Sequence, residues 1–154
     1  MAKKVKHAFE LHGLKELAET LKQLPAAVAE TALSEAVEEG GRPVLDAARA
    51  KAPERVGNLK LALNMKTVVY PQSKVATAII GPRSRTAGYA HLVEFGSGPR
   101  ETADGKSRGI MPPQPFLRPA IDETRQQSLK AVGRVLGAAI EREGNRLAKS
   151  GGAA

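Results

Sequence analysis

Leu59, Leu61, Leu63, Met65, Thr67 and Val69 alternate with Lys60, Ala62, Asn64, Lys66, Val68 and Tyr70. Successive side chains of a strand point to opposite faces, so period two over this length predicts a half-buried β-strand. The segment before it keeps a different period. Val28, Ala29, Ala32, Leu33, Ala36 and Val37 recur at steps of three and four, which is the stripe of an amphipathic helix. A chain that switches period in this way has to pack helix against sheet. The expected fold class is α+β: a small antiparallel sheet packed against a long, kinked N-terminal helix and a C-terminal helix, in one domain over residues 1–154.

Punctuation residues divide the chain further. Val5, Phe9 and Leu11 suggest a short strand over 5–11. Leu14, Leu17, Leu21 and Leu24 predict a helix that Pro25 ends, and the helical region as a whole spans 14–51. Inside it, Gly40-Gly41-Arg42-Pro43 predicts a kink or break, because Pro43 lacks an N–H and crowds the carbonyl four residues back. Ala52-Pro53 closes the region. The β region covers 58–96, with Pro71-Gln72-Ser73 as a turn, Val75 to Ile80 as a second strand closed by Gly81-Pro82, and an antiparallel hairpin as the result. Tyr89 to Phe95 fits a strand or a short helix. Residues 97–114 read as a long flexible loop, rich in Gly, Pro and charge. Pro119 opens a final helix over 119–148, with Ile121, Leu129, Val132, Leu136, Ile140 and Leu147 near one stripe. Gly133 and Gly137 on it have the spacing for close approach of another helix.

Several chemistries are excluded by what the chain lacks. It has no cysteine, which removes disulfides, thiolate metal sites and a cysteine nucleophile. His7, His12 and His91 have no second ligand at a metal-site spacing, and no phosphate-binding loop or nucleophile elbow is present. Catalytic, metal and cofactor sites are therefore expected to be absent, and the chain is read as a non-enzyme. The N-terminal lysines are not followed by a continuous apolar stretch, so no signal peptide is read there, and no run is long enough to span a bilayer.

Charge supplies a positive clue. The formal net charge is +8, and it is unevenly spread. Residues 1–50 hold seven Lys/Arg against eight Asp/Glu; residues 51–154 hold seventeen against eight. Such a bias attracts polyanions, DNA phosphates among them. Aromatics make up only 3%, too few for a stacking platform on single strands. Scarce large apolar side chains also suggest that partner subunits contribute to stability.

Glu94 stands between Val93 and Phe95. A carboxylate in apolar surroundings needs a partner, and Arg118 is the candidate for an ion pair. His91, three residues before Glu94, would neighbour it on a helix and face away on a strand.

Three short motifs in order carry a resemblance. Ala52-Pro53 precedes Gly57 and Leu59; Tyr89-Ala90 precedes Val93-Glu94 and Gly96-Ser97; Pro115-Phe116-Leu117-Arg118-Pro119-Ala120 follows. This order, from about residue 14 to 147, resembles the tail-component family typified by gene product 10 of the Hong Kong 97 phage. Val56 and Ser97 stand where that family usually has threonine, and the loop after Gly98 is longer and more basic. The resemblance implies a virion structural protein, made in the host cytoplasm and placed in the neck. There it would act as a tail-completion subunit joining the head connector to the tail terminator and tail tube. It implies a homo-oligomeric ring, six-fold, around the DNA channel, with non-specific DNA contact and no membrane.

On this reading Tyr89, Glu94, Phe95, Gly96, Phe116, Leu117 and Arg118 are assembly or loop-anchor candidates. Arg83, Arg85, Arg100, Lys106 and Arg108 are candidates for contact with the DNA lumen or a partner. The other readings are a basic nucleic-acid-binding protein of a mobile element, a minor tail component, and a small hydrolase using His91 and Glu94.

Overall fold

The computed structural model describes residues 19, 22, 26–53, 58–73, 75–83 and 88–151. Its elements run in the order α1 (Ala26–Lys51), α2 (Asn58–Ala62), β1 (Leu63–Tyr70), β2 (Val75–Pro82), α3 (Ala90–Phe95) and α4 (Leu117–Gly151). The fold is α+β, with β1 and β2 forming a two-stranded antiparallel sheet. The expected strand over 5–11 lies outside the described residues. Of the helix expected before Pro25, only Glu19 and Lys22 are described, and both are helical.

α1 is the central layer. α4 runs antiparallel along one side of it, as the pairs Lys51–Glu123 and Glu35–Arg142 at opposite ends require. The hairpin lies on another side. Two apolar clusters result. Ala29, Ala32 and Ala36 of α1 meet Leu136 and Ala139 of α4. Leu45, Ala48 and Ala52 join Leu59, Leu63, Ala90, Val93, Phe116 and Ala120 around the start of α4. The large, fully buried side chains are Phe116, Leu59, Leu63 and Val93, all in this second cluster. Each contributes about 1.5–3 kcal/mol on burial, whereas an alanine interface gains chiefly by letting backbones approach.

Of the kink or break expected at Gly40-Gly41-Arg42-Pro43, a break does not occur. α1 is one element through Gly40, Gly41 and Pro43. The two glycines serve close packing instead. A Cβ on Gly40 would lie 2.5 Å from Val132 Cγ2 of α4, and one on Gly41 would collide with the Met65 sulfur of β1. They are the points where the central helix is pressed from two sides. By contrast, a Cβ on Gly133 or Gly137 would meet nothing within 4 Å, so among the described residues their spacing serves no close helix contact.

A second correction concerns the start of β1. Leu59 to Ala62, expected as strand, form the short helix α2. Leu59 and Leu63 are four residues apart, a spacing that suits one helical turn as well as a strand. Both are buried, while Leu61 between them is 86% exposed. A strand would have put all three on one side. From Leu63 onward the alternation holds. Met65, Thr67 and Val69 pair with Ile80, Ala78 and Ala76 on the covered face. Arg49 of α1 donates to the Leu63 carbonyl at 2.9 Å and fixes this helix-to-strand transition.

The α1–α4 contact makes a prediction. Gly40→Ala should destabilise the protein by about 1–2 kcal/mol, the overpacking cost exceeding the gain in helix propensity. Val132→Ala should relieve most of this in the double variant, as urea unfolding of all four members of the cycle would show. Additive effects would mean that the two residues are not in contact.

Candidate functional site

The helix α4 starts with Leu117 and has the sequence problem of every helix start: its first N–H groups have no carbonyl to bond. Here one side chain from another element answers it. The amides of Phe116 and Leu117 donate to Glu94 Oε2 at 2.8 and 3.0 Å, and the amide of Arg118 donates to Oε1 at 3.1 Å. Pro119 has no N–H to satisfy, and the Ala120 amide bonds the Phe116 carbonyl at 3.4 Å. The Pro-Phe-Leu-Arg-Pro-Ala sequence is thus a helix start whose donors are all accounted for. The carboxylate also sits at the positive end of the α4 dipole.

α3 presents Glu94 for this role. Tyr89 begins the turn, its carbonyl accepting from the Leu92 and Val93 amides. Within Ala90–Phe95, the residues Ala90, Val93 and Glu94 face inward and Phe95 outward. Tyr89 to Phe95, open between strand and helix in the sequence, is therefore helical, because Ala90, Val93 and Glu94 share a side only at helical spacing. Burial raises the pKa of Glu94. The hydrogen bonds from Leu117, Phe116 and Arg118, aided by the Arg118 charge, prevail and leave the pKa below the ordinary 4.5.

The expected Glu94–Arg118 ion pair takes a different form. The two residues do meet, but through the Arg118 backbone amide, while the Arg118 side chain is exposed and contributes only its field. Nor is Glu94 available to His91. Both lie on α3, three apart, but the Glu94 oxygens are occupied by amides and the imidazole is exposed. No group of three or more potential metal-ligating residues occurs among the described residues.

Between these anchors the chain forms an arm. Residues 97–114, expected as a long flexible loop, form a narrow antiparallel ribbon. Ser97 and Met111 exchange two backbone hydrogen bonds at its base, and Glu101 bridges Ser107 near its tip. Thr102 closes the turn, its amide donating to the Lys106 carbonyl at 2.8 Å, with Gly105 at φ 72°. Gly96 is needed where the arm leaves α3. Its φ is 74°, and a Cβ there would meet the Met111 carbonyl at 2.8 Å and the Pro113 nitrogen at 2.9 Å. On the return strand, the Gln114 amide donates to the Val93 carbonyl and ties the arm to the end of α3.

The site candidates from the sequence separate into three groups. Tyr89, Glu94, Gly96, Phe116, Leu117 and Arg118 converge at the arm's base. Phe95 is beside them but 77% exposed, so it does not fasten the loop within the chain. Arg100, Lys106 and Arg108 lie exposed on the arm, and Arg83 is exposed just after β2. Arg85 lies outside the described residues. Sequence reasoning missed Met111 and Gln114, which hold the returning strand. Only the apolar character of Met111 within a polar stretch could have pointed to it.

A sequence model of the family described as Bacteriophage HK97-gp10, tail component, matches residues 15–96. The chain belongs to this family of phage tail components. The match takes in Ala52-Pro53 and Tyr89 to Gly96 and ends where the arm begins. No curated protein and no solved structure matches the chain.

Glu94→Ala should cost about 2–3 kcal/mol, since it strands helix-start donors, and Glu94→Gln about half as much. The native pKa of Glu94 is depressed. Its stabilisation is therefore full above the unfolded value near 4.5 and is lost as pH falls through the lower native value. Urea unfolding should show a gap between wild type and Glu94→Gln at neutral pH that closes well below pH 4.5. A gap independent of pH would mean that the charge of Glu94 is not what matters.

Proposed function

We propose that this tail component is a non-enzymatic neck or tail-completion subunit. It forms a ring of copies, six in number, between the head connector and the tail terminator, with the DNA passing through. The observation that carries the reading is the family match ending at Gly96, where a ribbon anchored at both ends projects from a helical body. A structural joint needs a rigid base and a reaching element. The Glu94 network supplies the base, and the arm with Arg100, Lys106 and Arg108 supplies the reach. The excess of positive charge after residue 50 suits loose contact with phosphates along a DNA path, and equally an acidic neighbouring subunit. No described helix is long and apolar enough to cross a membrane.

The reading is tested by producing particles without this protein. The expected result is filled heads and separate tails that join when the purified protein is added. Arg100→Glu with Arg108→Glu should abolish this joining while leaving the melting temperature within about 2 °C of wild type, as for exposed substitutions. Fully joined, infectious particles lacking the protein would overturn the reading.

A further inference from the structure

The two-stranded sheet has an outer edge on each side. The Arg83 amide donates to the Ala62 carbonyl in line with the β1–β2 register, which sets the hydrogen-bonding phase of the hairpin. Asn64, Lys66, Val68 and Tyr70 then bond inward to Gly81, Ile79, Thr77 and Val75. The alternate residues direct their N–H and C=O groups outward: Met65, Thr67 and Val69 on the β1 edge, and Ala76, Ala78 and Ile80 on the β2 edge. Among the described residues, no strand pairs with either edge.

A chain that has to stay monomeric blocks such edges with prolines, bulges or charges. None of the six outward-bonding residues is charged or a proline, and the register runs through eight pairs without a bulge. Pro82 stands only at the end of β2. The sheet's solvent face is mixed: Tyr70, Val75 and Ile79 are 50%, 48% and 54% exposed beside Asn64 and Thr77, and Lys66 is its one charge. A two-stranded sheet is marginal alone, and the alanine-rich core beneath it leaves burial to be gained elsewhere.

We propose that the two open edges pair with each other between copies of this chain, β2 of one against β1 of the next. Because β1 and β2 are antiparallel, copies related by a simple rotation and shift bring β2 beside β1 in antiparallel orientation and continue the sheet. A foreign strand would cover one edge and leave the other open. A closed set of copies satisfies both, as a heterologous interface does when its rotation closes. This rests on the ring reading above and names the contact that builds the ring.

Proline at an outward-bonding position removes one intermolecular donor and keeps every bond of the hairpin. Thr67→Pro blocks the β1 edge, and Ala78→Pro blocks the β2 edge. Native mass measurement of the full chain should give oligomers for wild type and monomers for each variant. An equimolar mixture should give one-to-one heterodimers, since one live edge of each kind remains. Circular dichroism of the variants checks that they fold. Independently, hydrogen exchange should show the amides of Thr67 and Ala78 slowed at least ten-fold in the wild-type oligomer relative to dilute monomer. Variants that assemble like wild type, or edge amides that exchange alike in both states, overturn the edge pairing and leave the ring reading standing on another surface. Either variant forming homodimers points to two-fold pairing of like edges and also overturns it. Wild type that stays monomeric at every concentration removes both readings.

Discussion

A single carboxylate organises one end of this molecule. Glu94 collects three amides at the start of α4 and thereby joins a six-residue helix to a 35-residue one. Other features at that end follow from the junction. Phe116 is held fully buried beside Leu59, Leu63 and Val93, so the helix start and the main apolar cluster are fixed together. Gly96 has to turn sharply because Met111 and Pro113 cross directly against it. The arm is ordered at its base because both of its strands are fastened before they leave the body.

The rest of the body depends on the thinness of α1. Alanines and two consecutive glycines let α4 and the hairpin approach it from different sides. A helix with larger residues at these positions would hold its neighbours apart. This arrangement gains close packing where a small, aromatic-poor chain can gain little from burying large side chains.

Much of this was legible in the sequence, and the failures have physical causes. The change from helical to alternating period gave the α+β class and the hairpin, because Met65 to Tyr70 really do present opposite faces. It misplaced the strand start because Leu59 and Leu63 satisfy both periods. Gly40-Gly41-Arg42-Pro43 pointed to a kink or break since propensity is local, whereas the close packing of α4 and β1 against an unbroken helix at the two glycines is not. The need of Glu94 for a partner, and its meeting with Arg118, could be read from polarity. That the partners are amides could not, since backbone groups carry no residue code. The order in residues 97–114 was hidden for the same reason: its ribbon is made almost wholly of backbone hydrogen bonds.

The fastening of the arm has a mechanical consequence. Its outgoing strand continues from α3 and its returning strand runs into α4, and the Glu94 carboxylate spans the two roots. A pull on the tip loads the three amide–carboxylate bonds and the Ser97–Met111 pair together, so the load is shared among them. The two roots of the arm therefore share one fastening, and neither can be displaced without disturbing the bonds at the start of α4.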